Sequence, residues 1–374
     1  MSDAIPATQK YPPGKHPSLP PPGLAVGPLL WIKENLFGSV TNTVLTALSI
    51  WLLWVTIPPL LHWGIIDAAF TGESRKDCQA QASGACWAFI QNRFELFVYG
   101  FYPKAERWRV NMAALLLAVA LLPVLWEKTP YRSKLLVFSC AYPFVAGWLL
   151  IGGLGLKPVG TDRFGGFLLT MVIGVTGISF SLPIGVLLAL GRQSRLPVLR
   201  VVSVSFIEFI RGVPLITLLF VASAMLSYFL PPGTNFNLLL RVLIMVTLFA
   251  SGYMAEVVRG GLQAIPKGQY EAAQSMGLGY WKQMRLVVLP QALKISIPGI
   301  VNTFIALYKD TTLVIIIGLL DPLGIGRSSL ADSKWQGLSS EVYIFVAIFF
   351  FISCFGMSRY ALYLERKLDT GHKR

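Results

Sequence analysis

Glu271-Ala272-Ala273-Gln274-Ser275-Met276-Gly277, closing at Leu289-Pro290, is the stretch that decides how this chain folds. It interrupts two long apolar runs, near 236–258 and 293–319. Pro266 suits a helix start, and Gly277 suits a helix end where φ > 0 is needed. A second short helical piece is expected from Tyr280 to Val288. Two short helices across a glycine bend make a knob. Small Ala272 and Ala273 allow close approach, Met276 offers an adaptable apolar contact, and Glu271 is placed to meet a basic group. Pattern alone leaves two readings open: an amphipathic helix lying on a membrane surface, or a docking surface for a soluble partner.

The flanking runs place the stretch in a bilayer protein. Of 374 residues, 54% are hydrophobic and 13% charged, and the mean hydropathy is +0.61. A soluble domain carries far more surface charge. Apolar runs near 37–61, 110–126, 135–153, 166–190, 200–230, 236–258, 293–319 and 341–363 give about eight helical crossings at roughly 20 residues each. The 200–230 run is broken by Arg211-Gly212-Val213-Pro214, where Pro214 invites a kink. The fold class is therefore all-α and polytopic.

The net charge of +14 marks orientation rather than nucleic-acid binding, because the basic clusters flank apolar runs. Lys128/Arg132/Lys134, Arg192/Arg195, Lys282/Arg285 and Arg366/Lys367/Lys373/Arg374 fall on one side, which the positive-inside rule makes cytoplasmic. Both termini are then cytoplasmic. The expected divisions are a Pro-rich tail over 1–36, N-terminal spans over 37–153, a core over 166–364 with its loop at 259–292, and a tail over 365–374. Met1 to Gly27 lacks an apolar core, so a disordered tail is expected there rather than a signal peptide. The segment 62–109 falls outside. There Cys78 and Cys86 meet an oxidising compartment, and two readings stand: a disulfide or two free thiols. His16, His62 and His372 are scattered and no CxxC occurs, so no metal site is expected.

Glu271-Ala272-Ala273, Gly277 and Val287-x-Leu289-Pro290 together resemble the EAA motif of bacterial ABC importer permeases, with Val287 where Ile is usual. Glu208-Phe209-Ile210-Arg211-Gly212-Val213-Pro214-Leu215, Ala255-Glu256-Val257-Val258-Arg259-Gly260-Gly261 and Leu307-Tyr308-Lys309-Asp310-Thr311-Thr312-Leu313 are similar to the polar amino-acid branch. The resemblance covers about 166–364. The added N-terminal spans resemble the longer permease subunit of general L-amino-acid uptake systems.

The resemblance implies a five-helix type I importer core with three additional N-terminal helices, in the bacterial inner membrane. It implies three kinds of protein partner: a homologous second permease, two copies of a cytoplasmic ATPase and a periplasmic amino-acid-binding protein. The ATPase is expected on Glu271, Ala272, Ala273, Met276, Gly277, Leu289 and Pro290. No GxxxxGK[ST] loop occurs here, so no cofactor is expected in this chain. ATP and Mg²⁺ are expected in the partner ATPase. The chain is read as a transporter subunit, not an enzyme. An ion-driven secondary transporter is the rival reading, but no internal repeat is evident. A membrane enzyme would want convergent His, Cys or carboxylates, which are lacking.

Charged and polar residues within spans are functional candidates. Glu208/Arg211 and Glu256/Arg259 stand at i, i+3 and are expected to pair on one helix face, as structural braces or as a cytoplasmic gate. Lys309 and Asp310 sit roughly 24 Å along their helix, with Thr311 and Thr312 after them and Asn302 and Thr303 before. A zwitterionic amino acid needs both charges and hydrogen-bond partners. These six residues are candidates for a translocation path or for contacts to neighbouring helices.

Overall fold

In lipid, an apolar run has no hydrogen-bond partner but its own backbone, so it crosses as a helix. The computed structural model describes residues 28–126, 128–225, 228, 231 and 236–368, and among them every named element is helical. The tail expected over Met1 to Gly27, most of the loop expected at 231–235, and residues 369–374 lie outside the described residues.

The chain divides into two units, Met1–Ala68 with Ala82–Ala85, and Ala69–Gln81 with Cys86–Arg374. In the first, α1 (Pro28–Leu36) precedes α2 (Val40–Leu61). Residues 28–36, expected within the tail, are thus helical. Pro28 opens α1 where a missing N–H is tolerated. Ser39 caps α2 by accepting the Asn42 N–H at 3.1 Å. No side chain of α2 is buried. Such a surface needs lipid as its solvent.

The second unit holds α3 (Arg75–Gln81), α4 (Ala88–Tyr99), α5 (Arg107–Leu125), α6 (Arg132–Ile151), α7 (Gly166–Arg192), α8 (Pro197–Gly212), α9 (Leu215–Phe220), α10 (Leu238–Gln263), α11 (Lys267–Ser275), α12 (Tyr280–Gln283), α13 (Leu289–Asp310), α14 (Pro322–Ser329) and α15 (Ser339–Leu368). Across the described chain, seven helical stretches are long and apolar enough to cross a membrane. The pair Pro197–Gly212 and Leu215–Met225 is apolar enough only when taken together and bends by 101° at its break, the form of a broken span or of a re-entrant loop, so the described residues hold seven or eight spans. The anticipated kink is thus a right-angle turn. Val213, driven out of helical geometry by Pro214, has φ −105 and ψ 129.

The centre of this unit is α7, α10 and α13. Small residues bring their backbones close, as membrane helices require. Gly177 meets Leu307 and Val246, Gly185 meets Met254, Gly261 meets Ser296 and Ala292, and Gly299 meets Val257. At the end carrying residues 69–106, Cys78 and Cys86 are joined in a disulfide. There α3 and α4 grip the start of α15 and the turn before it. Arg93 pairs with Asp332, and the backbone N–H of Arg75 donates to the Lys334 carbonyl at 2.8 Å. The Cys86 N–H donates to Glu341 Oε1 at 3.1 Å. Phe89 packs on Trp335 and Phe97 on Phe345, at 5.6 and 5.0 Å between ring centres.

Candidate coupling and translocation site

The knob is built as its sequence dictates. Pro266 stands at the N-terminal cap of α11 and cannot extend a helix backward. Gly277 takes φ +72, and the N–H of Leu278 returns to the Ala273 carbonyl at 3.2 Å, a glycine-turned helix end. Beyond it, α12 and the π turn Met284–Val288 run directly into α13. The expected second piece is therefore continuous with the next span.

Ala273 faces inward and is buried, while Glu271, Ala272, Met276, Gly277 and Pro290 are exposed and Leu289 is half-buried. Met276 is 79% exposed, with Trp281 exposed nearby. Two side chains that sequence reasoning missed fix the knob. Buried Gln283 donates from Nε2 to the Tyr270 carbonyl at 2.9 Å, and Gln291 Nε2 donates to Gln269 Oε1 at 3.1 Å. A cluster of Val258, Leu262, Ile265, Met284 and Val288 joins the ends of α10 and α13 beneath it. The knob and the ends of both helices therefore share one close-packed cluster.

The four charged candidates form one network with a fifth residue. Glu208 does not pair with Arg211 along its helix as its spacing predicts. It pairs with Arg192 of α7 at 2.8 Å, because the end of α7 runs beside α8. Glu256 is the hub. Its Oε2 accepts from Arg259 Nη2 at 2.7 Å and lies 3.5 Å from Arg211 Nη1. Its Oε1 lies 2.9 Å from Arg192 Nη1, an ion pair without hydrogen-bond alignment. Three arginines from three helices thus converge on one carboxylate. The only hint of Arg192 in the sequence was its basic cluster with Arg195.

The path candidates divide. Asn302 and Lys309, seven residues apart on α13, are both exposed. Asp310 is half-buried, and neither Lys309 nor Asp310 forms an ion pair among the described residues. Thr303 and Thr312, both half-buried, donate to the Gly299 and Lys309 carbonyls at 2.9 and 3.0 Å. Thr311 is fully buried and donates to the Tyr308 carbonyl at 2.8 Å, so its side chain faces no open path in this chain. Among the described residues, no three His, Cys, Asp or Glu side chains gather as a metal group.

A family model described as the binding-protein-dependent transport system inner membrane component matches residues 181–370. The chain is 50% identical over 358 residues to the inner membrane amino-acid ABC transporter permease protein YhdY of Escherichia coli (strain K12), covering 95% of this chain and 97% of that one. It is 46% identical to the glutamate/glutamine/aspartate/asparagine transport system permease protein BztC of Rhodobacter capsulatus, covering 95% and 96%. A solved structure described as an amino acid ABC transporter with histidines aligns with 53% of this chain and 90% of its own, at 29% identity and a TM-score of 0.47.

Proposed function

The chain belongs to the binding-protein-dependent transport system inner membrane component family, and from that membership we propose that it is the permease subunit of an ATP-driven importer of L-amino acids. Relatives that match along nearly their whole length carry amino-acid permease names. The observation that carries the reading is the knob. Glu271 and Met276 are offered outward, while Ala273 and Gln283 anchor the same loop to the ends of α10 and α13.

A cytoplasmic ATPase docks on this knob in two copies, one on this chain and one on a homologous second permease. ATP and Mg²⁺ belong to that ATPase, and a periplasmic binding protein delivers the amino acid. Both termini face the cytoplasm, and residues 69–106 face outward. The divisions follow as a tail before the first span, N-terminal spans to 153, a core over 166–364 and a short tail. Nucleotide binding favours one arrangement of the knob over the other, which is what any pumping cycle requires. The ion network then acts as the cytoplasmic gate. The exposed face of α13 with Asn302 and Lys309 lines the path or meets the second permease.

The test is uptake of labelled amino acid into proteoliposomes holding the whole complex. Uptake is expected only with ATP, and Glu271→Lys with Met276→Asp is expected to release the ATPase from the membrane. Uptake driven by an ion gradient without ATP overturns the reading.

A further inference from the structure

A groove of about 520 Å³ opens between α5, α6, α7 and the first two turns of α10. Every segment that lines it comes from the same end of its helix. The lining runs from Val110 to Leu117 on α5, from Tyr142 to Ile151 on α6, and from Phe167 to Phe180 on α7. All of these lie in the half of the bundle nearest residues 69–106, which the proposed orientation makes the outer leaflet.

Thirteen residues along α7, at 1.5 Å each, make the groove about 20 Å long. One leaflet of hydrocarbon is about 15 Å thick. The groove is thus about as long as a lipid acyl chain. Its few polar side chains are largely committed elsewhere. The Tyr142 hydroxyl donates to the Ala113 carbonyl at 2.9 Å, and Asn237 caps α10 through the Leu240 N–H at 2.8 Å. Ala120, Tyr142 and Ala146, with Leu117 and Val175, pack together along the groove's apolar wall. A Cβ added at Gly147 meets nothing within 4 Å, so this wall stands open.

At the outer end the chemistry changes. The turn Thr161–Arg163 separates the groove, lined by Thr161, from a second pocket of about 370 Å³. That pocket carries Lys157, Arg163, Glu106 and Asp162. Glu106 is held by buried Arg109 at 2.8 Å. Lys157 and Arg163 are exposed and form no ion pair among the described residues, leaving two cations against the carboxylate of Asp162. An apolar slot one leaflet deep with a cationic rim has the complement of one molecule in a membrane, an anionic glycerophospholipid.

We propose that this groove binds an anionic glycerophospholipid, with an acyl chain between α5, α6 and α7 and the phosphate at Lys157 and Arg163. The site joins the added helices α5 and α6 to the core helix α7. It makes lipid a mortar between them. Only the choice of leaflet rests on the proposed orientation; binding itself is independent of any transport reading.

The test uses the full chain in nanodiscs of phosphatidylcholine carrying a small fraction of photoactivatable phosphatidylglycerol. Crosslinks are expected in peptides spanning 110–117 and 142–151. Removing two near-surface cations with Lys157→Gln and Arg163→Gln is expected to weaken phosphatidylglycerol binding about thirtyfold, without loss of folding because both side chains are exposed. Gly147→Phe fills the slot and is expected to abolish labelling by a photoactivatable phosphatidylcholine as well. Thermal melting of each variant separates loss of the site from loss of the fold. Labelling confined to other helices overturns the proposal. So does labelling unchanged by both sets of substitutions, or labelling of the isolated chain that vanishes when partner subunits cover the groove.

Discussion

Glu256 shows what a single carboxylate does where three helices meet. Its side chain is 15% exposed, so replacing it leaves Arg211 and Arg259 without their carboxylate and Arg192 with Glu208 alone. Removing one partner from a largely buried ion group typically costs several kcal/mol, less where water reaches it. Glu256→Gln is therefore expected to cost roughly 1–3 kcal/mol and lower the Tm of the purified chain. Glu208→Gln, with a side chain 55% exposed, is expected to cost under about 1 kcal/mol. Equal Tm shifts in the two variants would remove Glu256 from the hub. Asp321 offers a test by pH. It is fully buried at the cap of α14, where Oδ1 accepts the Gly324 N–H at 2.8 Å and Oδ2 has no hydrogen-bond partner among the described residues. Burial pushes its carboxyl up to about 6 from the ordinary 3.8. The folded state thus prefers the neutral acid. That stabilisation is complete below about pH 4 and is lost as the pH rises through about 6. Asp321→Asn keeps the cap and removes the titration. Its melting temperature is expected to gain on the unmodified chain between pH 4 and 6, by at most about 3 kcal/mol equivalent. Parallel pH curves for the two proteins would contradict this.

The knob shows how a short element is fixed by its own turns and by side chains far along the chain. Gly277 sits at φ +72 with open space around it, so Gly277→Val introduces backbone strain and no clash. A cost of about 1–2 kcal/mol is expected, with weaker ATPase co-purification and little change in the packing of α7 against α10. Full co-purification in pull-downs would show that the turn is dispensable. Pro266 and Gly277 made the ends of α11 legible in the sequence, because each acts on its own backbone. The Gln283 to Tyr270 bond was not legible, because it spans 13 residues and exists only once the loop has folded. Arg192 was hidden for the same reason, its partners lying 16 and 64 residues away. The i, i+3 rule named Arg211 as the partner of Glu208, but a neighbouring helix supplied a closer cation. The break at Pro214 was legible as a break. Its 101° size depends on how α8 packs against α7 and α10, which no local rule contains.

The knob and the disulfide-bridged segment belong to different ends of the helices, and the tests divide accordingly. Lys309→Ala and Asn302→Ala are expected to reduce amino-acid uptake by the reconstituted complex at least about tenfold, the scale of a lost charge-assisted contact, with assembly intact. Normal uptake in both would take the exposed face of α13 out of the path. At the opposite end, the Cys78–Cys86 bridge closes a loop of sequence separation 8. Replacing both with serine is expected to cost about 2–3 kcal/mol, read as a lower Tm without reductant. The apolar spans and the knob were open to sequence reasoning, because hydropathy and turn chemistry are local patterns. The grip of α3 and α4 on the start of α15 was not. That grip sets a timetable for biogenesis. Arg75 and Cys86 find partners 261 and 255 residues further along the chain. At about 5–20 residues per second of synthesis, this segment waits roughly ten seconds to a minute for the helix that completes it. During that interval its donors lack their final acceptors. Nascent chains halted before Asp332 are expected to lose residues 75–100 to added protease, and full-length chains to keep them.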